Sequence, residues 1–170
     1  DRKYLARSFF FLLYQFLNHK YEKVDVVFVS HSTDANRVSE DDFFKVGTYG
    51  GTIISSCLDL ELDIIEKEYH PHSWNIYTFY CGDGENWSID NEKCLDLFKQ
   101  IKDTSQLTGY CEINEHYSNF AEEGTEAVMP DGHPWPSFSA WKNEEMDNLW
   151  SKLNPICDNK FKKVMIGQTD

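Results

Sequence analysis

Two short segments combine backbone freedom with oxygen-bearing side chains, the residue types that bind hard cations. In the run at residues 50–56, two glycines precede Thr52 and two serines. In the run at residues 81–86, Asp83 lies between two glycines. Carboxylates, hydroxyls and waters are the ligands that Mg²⁺ and Mn²⁺ prefer. Together, Thr52 and Asp83 are therefore candidate ligands for one divalent metal ion.

Both segments also have a structural interpretation, which the sequence leaves open. A threonine or serine before a helix is usually an N-cap, and an Asp-Gly pair is usually a turn. Three other patterns are weaker candidates for a functional site. Residues 70–72 hold a proline between two histidines. Cys111 with His116 has no third group to orient the imidazole. The glycine-rich run at residues 47–52 lacks the Gly-Lys-Ser/Thr ending of a phosphate-binding loop. No catalytic residue is assigned from these patterns.

Hydrophobic periodicity places the candidate segments between alternating strands and helices. Apolar and β-branched runs predict strands at residues 24–30, 75–81, 107–113 and 161–166, with a short edge strand at residues 40–47. Apolar residues at helical spacing predict helices at residues 4–20, 58–68, 94–101 and 146–153. We expect Asp90 or Asn91 to cap the third of these helices.

This alternation implies an α/β fold, namely a doubly wound, mostly parallel, Rossmann-like sheet with helices on both faces. A single domain over residues 1–170 is expected, with an inserted irregular loop at about 114–137 that holds three prolines. Ligands gather at the carboxyl ends of the strands in such a sheet. We therefore expect Thr52 and Asp83 to lie near each other at that edge. The predicted core residues are Phe9, Leu13, Val27, Phe28, Leu62, Ile76, Phe79 and Phe98.

Composition argues against several classes of partner. The formal net charge is −13 and the basic residues form no cluster, so a nucleic-acid partner is not expected. The longest apolar run, at residues 9–14, is far short of the roughly 20 residues that a membrane helix needs. Five cysteines without any Cys-x-x-Cys suit a reducing cytoplasm better than a disulfide framework or a zinc ribbon.

The motifs around the candidate ligands also resemble a known site. Residues 50–52, followed by a strand that ends in the Gly-Asp-Gly of residues 82–84, resemble the second and third motifs of the metal-ion-dependent adhesion site in von Willebrand factor A domains. In that site the threonine binds the metal directly and the aspartate usually acts through water. Over roughly residues 4–115, the chain resembles the YeaH/YhbH family of uncharacterised bacterial proteins associated with sporulation and stress.

The resemblance implies a von Willebrand factor A-like domain that is truncated at its N-terminus. Its first strand, with an Asp-x-Ser-x-Ser metal motif, would lie upstream of Asp1 and would occupy the middle of the sheet. We therefore expect a gap, a distorted contact or an intermolecular strand between the strands at residues 24–30 and 75–81. Thr52 and Asp83 alone would form a partial shell that binds Mg²⁺ or Mn²⁺ poorly.

Two classes of function follow from these expectations. The first is a non-enzymatic, cytoplasmic module that binds a protein partner through the carboxyl edge of the sheet, with a divalent ion bridging the two. For this class the resemblance implies a serine-kinase-like AAA+ partner. The alternative is a metal-dependent phosphate-ester hydrolase, in which Asp83 is ligand or nucleophile and Thr52, Ser55 or Ser56 positions the phosphate. Against it stands the lack of a second carboxylate or lysine at a recognisable spacing.

Overall fold

The computed structural model describes residues 2–45, 51–113 and 148–166. Its helices are α1 (Arg2–Lys20), α2 (Glu40–Lys45), α3 (Ile54–Glu68), α4 (Asn91–Thr104) and α5 (Leu149–Lys152). Its strands are β1 (Phe28–His31), β2 (Ala35–Val38), β3 (Tyr77–Gly82), β4 (Leu107–Ile113) and β5 (Phe161–Ile166). Single 3₁₀ turns lie at Ser88–Asp90 and Asn154–Ile156. The predicted loop at 114–137 lies outside the described residues.

The strands form two separate sheets. Strands β3, β4 and β5 are parallel, with β4 in the middle. Strands β1 and β2 form an antiparallel hairpin. The alternation of parallel strands with helices confirms the α/β class, and the strands predicted at 107–113 and 161–166 have the predicted bounds. The strand predicted at 24–30 is shorter and begins only at Phe28.

The edge strand predicted at residues 40–47 is wrong, because Glu40–Lys45 is helix α2 and the edge strand is β2. The backbone N–H of Asp42 donates to Ser39 Oγ at 3.1 Å, so the serine acts as an N-cap. The first turn carries three acidic residues, which favour the positive end of the helix dipole. These local signals outweigh the apolar Phe43 and Phe44 that suggested a strand.

One face of the three-stranded sheet packs against α3, α4 and α5 in a closed core. Tyr80 and Tyr110, opposite each other on β3 and β4, stack with ring centroids 5.2 Å apart. Phe98 of α4 meets Tyr110 edge-on at 5.8 Å and Phe161 of β5 at 5.5 Å. Phe98 and Phe161 are fully buried, which confirms the core prediction for Phe98.

Helix α1 covers the other face of the sheet much less completely. The ring of Phe9 lies 6.0 Å from that of Phe79 on β3. Gly109 leaves room for Phe79, because a Cβ at position 109 would lie 2.8 Å from Phe79 Cδ1. Along the rest of α1, Phe11, Leu12 and Phe16 are each more than half exposed. The described residues therefore leave these three apolar side chains of α1 largely uncovered.

A gap separates β1 from β3. The two strands belong to different sheets, and a cavity of about 600 Å³ lies between them, lined by α1, residues 23–29, α3 and β3. The expected gap is thus confirmed. Five of the predicted core residues line this cavity and are only half-buried: Leu13, Val27, Phe28, Ile76 and Phe79. Phe9 and Leu62 are also half-buried. The prediction that these seven residues belong to a closed core is therefore wrong, because their side chains are less buried than expected.

Candidate functional site

Three segments meet at the carboxyl edge of the sheet: the turn after β1, residues 51–53 before α3, and the loop after β3. The backbone N–H of Ile53 donates to the carbonyl of Ser32 at 2.8 Å. The N–H of Ile54 then donates to Asn86 Oδ1 at 3.0 Å. The N–H of Ser55 donates to Asp90 Oδ2 at 3.0 Å. These bonds fix the segment that carries Thr52 against the loop that begins at Asp83.

The same bonds explain why α3 can begin at a residue with no capping side chain. The first N–H groups of a helix lack intrahelical partners, and the N-cap position of α3 is Ile53. Asn86 and Asp90 supply the missing acceptors from another part of the chain. Asp90 was expected to cap α4. It does occupy the N-cap position of α4, but its side chain makes no capping bond there.

Asp90 is a buried carboxylate, 8% exposed, that is held in its ionised form. Burial raises its pKa, but hydrogen bonds from Ser55, Cys94 and Asn86 outweigh burial and hold the pKa below its usual value. The Cys94 thiol donates to Asp90 Oδ2 at 3.1 Å. Asp90 is therefore a structural anchor for this end of the sheet.

The two predicted metal ligands both lie on loops at this edge. Thr52 is half-buried between residues 51 and 53, and Asp83 is exposed directly after β3. Asp83 Oδ1 accepts a hydrogen bond from the N–H of Glu85 at 3.2 Å, and Gly84 has φ +84°. The turn interpretation of the Asp-Gly pair is therefore correct. Metal binding by Thr52 and Asp83 stays a prediction.

The serines that follow Thr52 are engaged inside the protein. Ser55 is 2% exposed and bonds Asp90 through its backbone and its side chain. The hydroxyl of Ser56 donates to the carbonyl of Ile53 at 2.7 Å. Neither serine is the N-cap of α3, which is Ile53, so the N-cap interpretation of these residues is wrong. Ser56 instead bonds back to a carbonyl three residues earlier, as serines in helices can do.

A second carboxylate, Glu112, lies near this edge and was missed in the sequence. The positive φ of Gly84 favours glycine there, and a Cβ at this position would lie 2.6 Å from Glu112 Cδ, so the turn after β3 lies directly against the Glu112 carboxylate. Burial raises the pKa of Glu112, the hydrogen bond from Tyr110 opposes this, and the charge of Asp83 adds to it. The signal was available, because Glu112 precedes the end of the correctly predicted strand 107–113.

His31 ends β1 and faces the same region. Its ring lies 5.6 Å from that of Tyr80, and its Nδ1 is buried without a hydrogen-bond partner among the described residues. Burial lowers the pKa of His31, and this outweighs a contact with Ser32 and the charge of Asp83, which both raise it. A neutral imidazole therefore stands at the border between the edge and the gap.

The described residues contain no group of three or more His, Cys, Asp or Glu side chains that could hold a metal ion. Thr52 and Asp83 would contribute at most two oxygens to the octahedral shell of about six that Mg²⁺ requires. The donor chemistry fits such an ion, and the remaining ligands would have to be waters, partner groups or other parts of the full-length protein. None of the helices in the described ranges is long and apolar enough to cross a membrane.

Comparison with known proteins assigns the chain to a family. Residues 1–159 match the family described as "Protein of unknown function (DUF444)". The chain belongs to the DUF444 family. The DUF444 chain is 52% identical over 118 residues to a UPF0229 protein of Ruminiclostridium cellulolyticum, which covers 69% of the chain and 30% of that relative. This family-level match supports the resemblance to YeaH/YhbH proteins.

Two further relatives of the DUF444 chain extend the match. A UPF0229 protein of Clostridium perfringens is 49% identical over 112 residues, 66% of the chain and 29% of the relative. One of Shouchella clausii is 48% identical over 114 residues, 67% of the chain and 29% of the relative. The chain thus spans about 30% of the length of the curated relatives that it matches. No solved structure matches it.

Proposed function

We propose that this DUF444 chain is a von Willebrand factor A-like, non-enzymatic module that binds a protein partner through the carboxyl edge of its sheet. A Mg²⁺ or Mn²⁺ ion held in part by Thr52 and Asp83 would bridge to an acidic side chain of the partner. The observation that carries the proposal is the set of hydrogen bonds that fixes the Thr52 segment against the Asp83 loop. A preorganised edge of this kind suits ion-mediated docking.

The gap supports the von Willebrand factor A-like architecture. Strand β1 pairs on one side with β2, and β3 pairs on one side with β4, so within residues 2–45, 51–113 and 148–166 neither strand has a partner on its other side. Unpaired backbone groups are costly when buried and tend to pair with another strand. In the proposed fold, a strand from another part of the full-length protein lies between β1 and β3, joins the two sheets and adds further metal ligands.

Hydrogen exchange tests this strand directly. In the full-length protein, the amides of both β1 and β3 should exchange more slowly than the same amides in the 170-residue chain, because each strand gains a ladder. The amides of β4 already have partners on both sides and serve as the internal control. Equal exchange of β1 and β3 in the two proteins would exclude the inserted strand.

One observation supports the alternative function, a metal-dependent phosphate-ester hydrolase. Glu112 is a second carboxylate near Asp83, and paired carboxylates can perform acid–base chemistry. Against it, Ser55 and Ser56 are bound within the protein. Hydrolysis of a generic phosphate ester by the full-length protein with Mg²⁺, abolished by Asp83→Ala, would establish the enzyme and overturn the binding module.

Metal binding itself is tested by calorimetry with Mg²⁺ or Mn²⁺ on the full-length protein. Thr52→Ala and Asp83→Ala should each weaken binding at least tenfold and reduce capture of the partner in pull-down. Asp103→Ala is the matched control, since Asp103 is an exposed carboxylate near the far end of α4. If all three variants bind the ion equally, Thr52 and Asp83 are not ligands.

The resemblance to YeaH/YhbH proteins supports a more specific setting for this module. In that setting the partner is a serine-kinase-like AAA+ protein, and the pair acts in the bacterial cytoplasm during stress or sporulation. Pull-down from a bacterial lysate with the full-length protein, compared with Thr52→Ala, tests the partner. Recovery of such a protein by the wild type and its loss with the variant is the expected result.

A further inference from the structure

Two of the cysteines face each other across neighbouring strands. Cys81 of β3 and Cys111 of β4 are direct partners in the parallel register. Neighbouring strands lie about 4.7–4.9 Å apart, and the Cα atoms of a disulfide lie about 4.4–6.8 Å apart. Residues opposite each other in a ladder project from the same face of the sheet. The backbone therefore brings these two thiols within reach of a covalent bond, and the thiols already share a hydrogen bond.

The pair lies on the α1 face of the sheet, and one member borders the gap. Side chains alternate along a strand, so Cys81 lies on the face opposite to Tyr80, whose ring packs in the closed core against Phe98. Cys81 is half-buried and lines the cavity between β1 and β3, whereas Cys111 is 5% exposed. The pair is therefore approached from the α1 face, and a strand added beside β3 would lie in the plane of the sheet and not over that face.

Two other cysteines offer an internal contrast. Cys57 of α3 and Cys94 of α4 belong to the closed core on the opposite face, with 6% and 0% exposure. Burial raises the pKa of Cys57 to about 12 and also raises that of Cys94. Their thiols are bonded to Ile54 O and Asp90 Oδ2. Buried thiols of this kind are inert, because the thiolate is the reactive form. Within the facing pair, the hydrogen bond between the thiols and burial raise the pKa of Cys81, whereas the same hydrogen bond lowers the pKa of Cys111, so Cys111 is the thiol that ionises first.

We propose that Cys81 and Cys111 form a site of reversible oxidation by hydrogen peroxide, which closes a disulfide between β3 and β4. The thiolate of Cys111, which accepts the hydrogen bond from the Cys81 thiol, attacks the peroxide, taking one oxygen as a sulfenic acid and releasing hydroxide. The Cys81 sulfur then attacks the Cys111 sulfur, the S–S bond forms, and the sulfenic oxygen leaves as water. The two thiols lose two electrons and two protons, and the peroxide is reduced to two waters.

The test uses the reduced full-length protein, treated with a small excess of hydrogen peroxide, blocked with N-ethylmaleimide, and digested for mass spectrometry. The expected product is a peptide pair joined through Cys81 and Cys111, lighter by two hydrogens and restored by dithiothreitol. Cys57 and Cys94 should be alkylated only after denaturation. If both Cys81 and Cys111 are alkylated after peroxide treatment, or if the joined pair contains a different cysteine, the proposal is wrong.

Two variants separate the steps. In Cys81→Ser, the serine hydroxyl can still donate to Cys111, but the sulfenic acid on Cys111 has no resolving thiol and should be trapped by dimedone, at several times the yield obtained with the wild type. In Cys111→Ser, burial raises the pKa of the remaining thiol, Cys81, so little dimedone adduct should form on it. An equal adduct yield in the two variants would contradict the assignment of Cys111 as the thiol that is oxidised first. The wild-type mapping decides the disulfide even if a variant does not fold.

Discussion

The two faces of the three-stranded sheet both meet apolar side chains, but their packing is very different. On the α3–α4 side, Phe98, Phe161 and Tyr110 are at most 1% exposed and make ring-to-ring contacts. On the α1 side, apolar residues surround a cavity of about 600 Å³, and Phe11 is 60% exposed. Apolar side chains on one stripe of a helix thus show which face is to be covered, but they do not identify what covers it.

The largest expected effect distinguishes the two faces directly. Phe98→Ala should lower the free energy of unfolding of the full-length protein by about 3–5 kcal/mol, because it opens a cavity in a closed core. Phe79→Ala should cost only about 1–2 kcal/mol if the gap stays open, because Phe79 is half-buried there.

Urea denaturation of both variants measures this comparison. If a strand fills the gap in the full-length protein, the cost of Phe79→Ala should rise to that of Phe98→Ala, since the ring is then enclosed. Phe161→Ala, a fully buried ring on the same side as Phe98, is the control for truncation of an aromatic residue. A loss below about 1 kcal/mol for Phe98→Ala would contradict the assignment of the closed core.

The second prediction concerns the carboxyl group of Glu61, which lines the gap from α3. Burial raises its pKa to about 7, and the hydrogen bond from Thr78, at 2.5 Å, only partly opposes this. Because the pKa of Glu61 is higher in the folded than in the unfolded protein, the protonated carboxyl contributes its full stabilisation below pH 4.5, the unfolded value. This stabilisation is lost as the pH rises through about 7. Between these two pH values, the free energy of unfolding of the wild type should fall by up to about 3 kcal/mol.

Glu61→Gln removes the titration, so its free energy of unfolding should change less with pH between about 4.5 and 7. The measurement is the difference between wild type and variant in urea melts at several pH values. Glu66→Gln, an exposed carboxylate on the same helix, should leave the pH dependence unchanged. If the free energy of unfolding changes with pH in the same way in the wild type and in Glu61→Gln, the Glu61 carboxyl is not desolvated in the gap. Water or a donor from an inserted strand would then reach it.

Much of the architecture could be predicted because it depends on local pattern. Strands β4 and β5 are short segments rich in apolar and aromatic residues between turn signals, and both were predicted with their observed bounds. The bonds that fix the candidate site could not be predicted in this way. Asn86 and Asp90 cap a helix that begins more than 30 residues earlier in the chain, and no local spacing encodes such a contact.

The third prediction tests that long-range cap. Asp90→Ala leaves the backbone N–H of Ser55 and the thiol of Cys94 without their acceptor and should cost about 2 kcal/mol of unfolding free energy. Asp90→Asn keeps an acceptor oxygen and should cost less. Thermal denaturation of both variants measures the effect. Equal stability of Asp90→Ala and wild type would mean that the edge is not anchored by this residue, and the preorganisation argued for Thr52 would fail with it.

The smallest expected effect tests whether the two regions unfold independently. Ser39 caps α2, and α2 contacts the hairpin through Phe43, whose ring lies 5.0 Å from that of Phe28 on β1. Ser39→Ala should cost about 1 kcal/mol, the usual value for a lost N-cap, while Ser39→Asp should retain the cap.

Hydrogen exchange locates this loss. If the α1 side is a separate cooperative unit, Ser39→Ala should speed exchange in α2 and β1 and leave α4 and β4 unchanged, because local openings are confined to the less stable unit. Ser39→Asp should resemble the wild type. Faster exchange throughout the sheet would mean that the hairpin and the closed core unfold together in spite of the gap, so that the difference between the two faces is one of packing and not of cooperativity.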